Sequence, residues 1–373
     1  MLPQVLCNLS QLHDFVTNVL RQNGGTGEFM GPWFTKMNYM VTSDPMNFHH
    51  IMSKHFDDYV KGPEFREIFQ PFGEDFLTAD SEAWKYSRTL LFHSLFRKKS
   101  FETMLGKNIQ KKVLNITCFQ SLIMHGCMEW FLDLQDVFSR LMFDETCLML
   151  LGYDPNSLSI DFPLLEVEKA FDEAEESIFY RQVVPRSVWK FQEWLQIGEE
   201  KKMTKACKVF DEFLHSFIAT KRQEELSKCN KSSDDLLGAL MMMRDENGEI
   251  VHDDKYVKDA IFNLFVAGRD IITSTLTWFF LLVATNPLVE SKILDEIEEN
   301  FGAINELEKH QILGIESVKK LVYLHGALCE SLRLFPPVPI ERKQSLKYDT
   351  LPSGHGVNPN TPILLFIYAM GRS

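Results

Sequence analysis

The sequence is short of positive charge and shows no cysteine pattern. Its 39 Lys and Arg stand against 52 Asp and Glu, a formal net charge of −13, which argues against a surface built to bind nucleic acid or another polyanion. The seven cysteines, Cys7, Cys118, Cys127, Cys147, Cys207, Cys229 and Cys329, are odd in number and widely scattered, with no C-x-x-C. Neither a zinc site nor a disulfide framework is expected from them. The opening residues Met1 to Asn8 lack a basic run, and their apolar stretch is too short for a secretory segment, so no export or anchoring signal is expected within residues 1–373. What remains is ordinary globular stock. With 45% hydrophobic and 24% charged residues, the chain can bury a large core, and disorder or a collagen-like repeat is excluded as a global description. Length by itself leaves one or two domains open.

Along the chain, Gly24, Gly25 and Gly27 punctuate a start in which Phe29 to Phe34 and Tyr39 to Thr42 read as two short strands joined by a turn. From about Asn47 the apolar spacing becomes helical. The longest amphipathic stretches are Leu134 to Leu151 and Lys202 to Leu226, and the chain reads as mainly α. Polar loops are expected at Ser227 to Asp235 and Arg244 to Gly248.

Two stretches carry chemistry. Asp254 to Thr285 reads as one long helix, with Asp253 as N-cap and Asn286-Pro287 as its stop. Its middle is apolar nearly all round, which means burial. The run Ile271 to Ala284 is too short for a membrane span of about 20 residues, and extending it would place Arg269 and Asp270 in hydrocarbon. A charged pair inside an apolar helix is costly unless hydrogen-bonded or facing a polar cavity. Next to it Gly268 costs about 1 kcal/mol relative to alanine, and close approach of a ligand is one reason to accept that cost. The second stretch, Val318 to Leu334, also reads as a helix. It holds Glu330-Ser-Leu-Arg333, opposite charges on one face, directly before Phe335-Pro-Pro-Val-Pro339.

Ala267-Gly-Arg-Asp270, then Glu330-x-x-Arg333, then the proline run, in that order and separation, resembles the cytochrome P450 family. Trp84-Lys-Tyr-Ser-Arg88 adds the W-x-x-x-R spacing of an early helix in that family, one turn bringing an indole and a guanidinium to the same face. Thr26-Gly-Glu-Phe-Met-Gly-Pro-Trp33, Phe143-Asp144, Gly152-Tyr-Asp-Pro155, Leu351-Pro-Ser-Gly-His355 and Tyr368-Ala-Met-Gly-Arg372 are similar to the plant branch that hydroxylates fatty acids and alkanes, including the mid-chain alkane hydroxylases of cuticular wax.

The resemblance implies a mainly α fold with small β-sheets, a single domain over residues 1–373. It would have a β-rich start (1–45), a helical body (46–335) and a β-rich segment (336–373). It implies a heme cofactor, with Trp84, Arg88 and Lys343 near the propionates and Ala267 and Gly268 beside the porphyrin. Asp270 would serve proton delivery, and Glu330 and Arg333 would be a structural pair. Electrons would come from NADPH through a flavoprotein reductase, for which Arg97-Lys98-Lys99 is a docking patch by analogy. The setting would be the cytosolic face of the endoplasmic reticulum membrane, and the substrate a long-chain hydrocarbon or fatty acid.

Three departures from the family pattern are visible. The family carries its axial cysteine in F-x-x-G-x-R-x-C-x-G, where the thiolate binds iron, and none of the seven cysteines stands in that motif. Cys147 and Cys329 are expected to serve packing. The family's membrane anchor is likewise not matched. In the long helix Asp270 is followed by Ile271-Ile272 where the family has a hydroxyl residue, and isoleucine donates no hydrogen bond. Thr273 lies two positions on, about 200° round the helix. The expectation is therefore a truncated, inactive heme-thiolate monooxygenase. A noncatalytic helical remnant that binds lipid or a partner is the alternative.

Overall fold

The computed structural model describes residues 7–31, 38–74, 76–91, 106–113, 133–159, 165–227, 235–243, 250–302 and 315–372, with single positions 4 and 163. In chain order the main elements are α1 (Leu12–Gln22), β1 (Thr26–Met30), β2 (Asn38–Thr42), β3 (Tyr59–Val60), α2 (Pro63–Phe69) and α3 (Ser81–Leu91). There follow α4 (Leu134–Leu151), α5 (Glu166–Val183), α6 (Arg186–Leu195), α7 (Gly198–Ser227), α8 (Leu236–Met241), α9 (Asp254–Ala284), α10 (Pro287–Phe301) and α11 (Val322–Leu334). The chain closes with β4 (Ile340–Ser345), β5 (Asp349–Thr350), β6 (Gly356–Val357) and β7 (Pro362–Phe366). The architecture is mainly α with small β-sheets. Residues group into two compact units, Met1–Arg88 with Glu166–Leu214 and Val338–Ser373, and Thr89–Leu165 with His215–Pro337.

The first unit is organised by a five-stranded sheet of order β1-β2-β7-β4-β3. β2 runs parallel to β7, and the other pairings are antiparallel. Met40, Ile363 and Leu365 are buried with Ile51, Tyr59, Leu351 and Val357 as its core. Strand alternation puts Glu341 and Lys343 on one face of β4 and Arg342 on the other. The first strand begins at Thr26, earlier than the Phe29 to Phe34 run suggested, because Thr26 pairs with Thr42. The buried Asn47 amide donates to both threonine hydroxyls. Among the helices of this unit, Arg181 on α5 is buried, makes two hydrogen bonds to Glu200 at 2.8 and 2.6 Å, and lies over the Trp189 ring.

In the second unit α4 and α9 form the central pair. Phe143 and Phe265 meet between them. The expected limits of both helices are observed, with Asp133 accepting from Gln135 N–H and Asp253 from Tyr256 N–H at their N-termini. By length and composition α9 is the one helix among the described residues able to cross a membrane. The expected helix from Val318 is different. A short turn, Ile315–Val318, ends there and α11 starts at Val322, because the Glu296 carboxylate of α10 accepts from the Tyr323 and Leu324 N–H groups and caps the helix from outside. Most of the expected loops at 227–235 and 244–248 lie outside the described residues.

Candidate functional site

In the first unit, β3 pairs with β4 so that Tyr59 faces Ser345 and Val60 faces Gln344. The chain leaves β3 through Lys61 and Gly62 into α2. Gly62 has φ +85°, and a Cβ there would stand 1.9 Å from the Gln344 side chain, so only glycine fits the turn without strain. This turn directs Lys61 into a cavity of about 220 Å³ that Trp84, Lys343, Glu341, Asp80, Tyr59 and Phe56 also line. Sequence reasoning selected Trp84 and Lys343, and the structure brings these two to one cavity. It missed Lys61, Glu341 and Asp80.

The cavity is electrostatically unusual. Lys343 is 4% exposed; its ammonium lies 4.8 Å from the Phe56 ring centre and makes no hydrogen bond among the described residues. Burial holds its pKa below the usual lysine value, with Glu341 opposing. Burial likewise lowers Lys61 to about 8, although its ammonium donates to the Leu77 and Phe76 carbonyls at 2.5 and 3.2 Å. Burial pushes Glu341 up. Arg88 is exposed and stacks over the Trp84 ring at 5.2 Å; it does not line the cavity. Arg342 points to the opposite face of β4, paired with Glu64.

In the second unit, the centre of α9 carries the other expected residues. Arg269 is 2% exposed and donates to Ser139 Oγ of α4 at 2.7 Å. Asp270 is half-buried, 3.6 Å from Arg269, and its Oδ2 is buried with no hydrogen-bond partner among the described residues. Ile271 is exposed. Thr273 is buried, and its hydroxyl is engaged by backbone carbonyls, that of Arg269 at 2.8 Å and that of Phe138 on α4 at 3.4 Å. Ala267 is half-buried. At Gly268 a Cβ would stand 3.1 Å from Thr146 Oγ1 of α4. Close helix packing thus gives a reason for glycine independent of any ligand.

Glu330 and Arg333 pair on α11, 2.9 Å between Oε2 and Nε, on an exposed face. Cys147 is buried in α4 and Cys329 is exposed. Arg97-Lys98-Lys99 lies outside the described residues. Among the described residues no cluster of three or more His, Cys, Asp or Glu side chains could hold a metal ion.

The family model described as Cytochrome P450 matches residues 3–373. Over all of this chain and 73% of its own length, the alkane hydroxylase MAH1 of Arabidopsis thaliana is 38% identical. Cytochrome P450 86B1 of the same plant is 34% identical over 68% of its length. Noroxomaritidine synthase 2 of Narcissus pseudonarcissus is 35% identical over 71% of its length.

Proposed function

Because this chain belongs to the cytochrome P450 family, we propose that it belongs to a heme-dependent monooxygenase acting on long-chain alkanes or fatty acids. Its electrons come from NADPH through a flavoprotein reductase, at the cytosolic face of the endoplasmic reticulum membrane. The observation that carries the heme reading is the joint placing of Trp84 and Lys343 on one cavity. The residues fit a porphyrin at its carboxylate end, since a buried ammonium without a hydrogen bond among the described residues calls for an anion. When bound, heme supplies the activation of dioxygen that inserts one oxygen atom into a C–H bond.

This chain's residues then have separate tasks. Trp84 and Lys343 would hold a propionate. Asp270, whose Oδ2 has no hydrogen-bond partner among the described residues, would hold a proton or a water. Ile271 offers that water no donor, and the Thr273 hydroxyl is already engaged, so proton delivery is poor. An apolar cavity of about 390 Å³ in the first unit, lined by Phe15, Val19, Phe29, Phe179 and Leu364 among others, supports a hydrocarbon substrate.

Residues 1–373 on their own are proposed not to form a thiolate-ligated heme, because no cysteine among them stands in the ligand motif. Titration of the 373-residue chain with hemin, followed by the reduced carbon monoxide difference spectrum, tests both parts. Saturable uptake without a Soret band at the thiolate position is expected. A band at that position overturns the ligand statement, and absence of saturable uptake overturns the heme reading.

A second reading, a noncatalytic lipid or partner binder, is favoured by one observation. In the second unit a groove of about 780 Å³ is lined by Phe279, Leu282, Val322 and Leu334, and Leu288 and Val322 are 81% and 72% exposed. Saturable dodecane binding by monomeric chain that takes up no hemin would select this reading.

A further inference from the structure

The apolar cavity of the first unit has a charged member that neither the sequence motifs nor the family resemblance assigned. We propose that the Arg342–Glu64 pair sets the specificity of this cavity: Glu64 neutralises the cation that lines it, so the cavity takes an uncharged long chain, an alkane or its alcohol, and rejects a fatty-acid carboxylate. This deepens the function proposed above and rests on that reading only in calling the ligand a substrate.

The floor of the cavity is one face of the five-stranded sheet. Register sets Phe29 beside Tyr39, Val41 beside Leu364, and Leu364 beside Arg342, so these side chains share a face. Phe15 and Val19 of α1 and Phe179 of α5 wall it. Arg342 is the only cation among the described lining residues. Its side chain is 11% exposed, and its guanidinium lies 5.3 Å from the centre of the Tyr39 ring. A guanidinium does not deprotonate in a protein, so in an apolar setting it needs an anion. Glu64 of α2 supplies one. The neighbouring charges of α2 are committed elsewhere, Arg66 facing Asp80 at 4.0 Å and Glu67 holding Arg186 at 2.6 Å.

Charge and size then decide what enters. The lining holds one further charged residue, the exposed Glu28. With Glu64 already on Arg342, the three groups leave an excess of one negative charge. A carboxylate entering head-first has to displace Glu64 from Arg342, and one entering tail-first leaves its head beside Glu28; like charges at a site are costly. A methyl or hydroxyl end meets neither obstacle. Burial raises the Tyr39 pKa, and Glu64 adds to the rise, so this lining residue stays a neutral hydroxyl able to serve an alcohol end. The volume of about 390 Å³ is within the range of pockets that enclose a whole small ligand.

The test uses the full 373-residue chain at about pH 8, where a free carboxylic acid is ionised, with dodecanol and dodecanoate as probes below their micelle-forming concentrations. Affinity is read by isothermal titration calorimetry. Place is read from diazirine-bearing analogues of both probes, cross-linked and mapped by mass spectrometry. The alcohol is expected to bind about tenfold tighter than the acid or more, and to label the cavity-lining residues of α1, β1 or α5. Glu64→Gln keeps the size of the side chain and unmasks the charge of Arg342. In that variant dodecanoate is expected to gain about tenfold or more, while dodecanol stays within about threefold of the parent. Adding Arg342→Met to Glu64→Gln is expected to abolish the gain.

Equal affinity of the two probes in the parent, no saturable binding of the alcohol, cross-links confined to residues outside the cavity, or an acid affinity that Glu64→Gln leaves unmoved each overturns the proposal. Hemin uptake, measured separately on the same chain, decides the heme reading. Selectivity for the alcohol without hemin uptake defeats that reading alone, and hemin uptake without the selectivity defeats this proposal alone. Circular dichroism checks the fold of each variant. If Glu64→Gln does not fold, the alcohol-to-acid ratio of the parent and its cross-link map decide.

Discussion

Lys112 donates to Asp144 at 2.5 Å, and both side chains are all but sealed from solvent, 1% and 0% exposed. The pair joins helical residues 106–113 to α4, and Asp154 adds a second carboxylate to Lys112 at 2.7 Å. Asp144 also accepts from the backbone N–H of Ser157 and Leu158, fixing the loop that leaves α4. One buried carboxylate therefore holds a lysine and two backbone donors from different stretches of the same unit.

Removing the lysine leaves that carboxylate buried with its backbone bonds alone. Truncating one partner of a buried pair costs about 3 to 5 kcal/mol, and the two remaining N–H donors place this site toward the lower end. Lys112→Met, which keeps the packing of the stem, is expected to destabilise the chain by about 3 kcal/mol. Urea unfolding followed by circular dichroism measures it; a loss under about 1 kcal/mol would show that the pair adds little.

The neighbour of Asp144 makes a prediction about pH. Glu145 is 2% exposed; its Oε1 accepts from Asn108 at 2.6 Å, and its Oε2 is buried without a partner among the described residues. Burial raises its pKa from the ordinary 4.5 to about 7, only partly offset by Asn108 and Lys112. Between those values the folded chain keeps a proton that the unfolded chain has lost. Stability from this site is thus full below about pH 4.5 and falls as pH rises through about 7. The span corresponds to about 3 kcal/mol. Glu145→Gln keeps the acceptor and cannot ionise, so it is expected to be more stable than the parent at pH 8 and nearly equal at pH 5. Equal gaps at both pH values would rule out ionisation of Glu145 as the cause.

What could be read from the sequence was local. The limits of α4 and α9 were legible because Asp133 and Asp253 cap their own helices and the apolar periodicity runs unbroken between cap and stop. The start of α11 was not, since the group that caps it, Glu296, lies 27 residues before Tyr323. The same distinction governs the site. Trp84 and Lys343 came from a family pattern, whereas Lys61 and Glu341 reach the cavity only because β3 pairs with β4 across nearly the whole chain. No window of sequence contains that pairing. Gly268 shows the opposite limit. Its cost in a helix was evident, but which neighbour repays it depends on α4 lying against α9.

That neighbour can be tested by coupling. Alanine at position 268 gains about 1 kcal/mol of helix propensity over glycine, so an unobstructed site would be stabilised by the change. Here the new Cβ stands 3.1 Å from Thr146 Oγ1, closer than ordinary van der Waals contact, and 3.4 Å from Cγ2, and Thr146 is itself 1% exposed on the facing helix. A buried β-branched side chain has little rotamer freedom with which to retreat. Either α4 and α9 separate slightly or Thr146 leaves its rotamer, and overpacking of this kind costs about 1 to 3 kcal/mol. Gly268→Ala is therefore expected to lower stability by about 1 kcal/mol, the clash outweighing the propensity. Thr146→Ala removes both contacting atoms, so in that background Gly268→Ala should change sign and stabilise. A double-mutant cycle in urea reads the difference as a coupling energy of about 1 to 2 kcal/mol. Additive effects would mean that α4 does not supply the constraint, and a ligand-facing role for Gly268 would regain its footing.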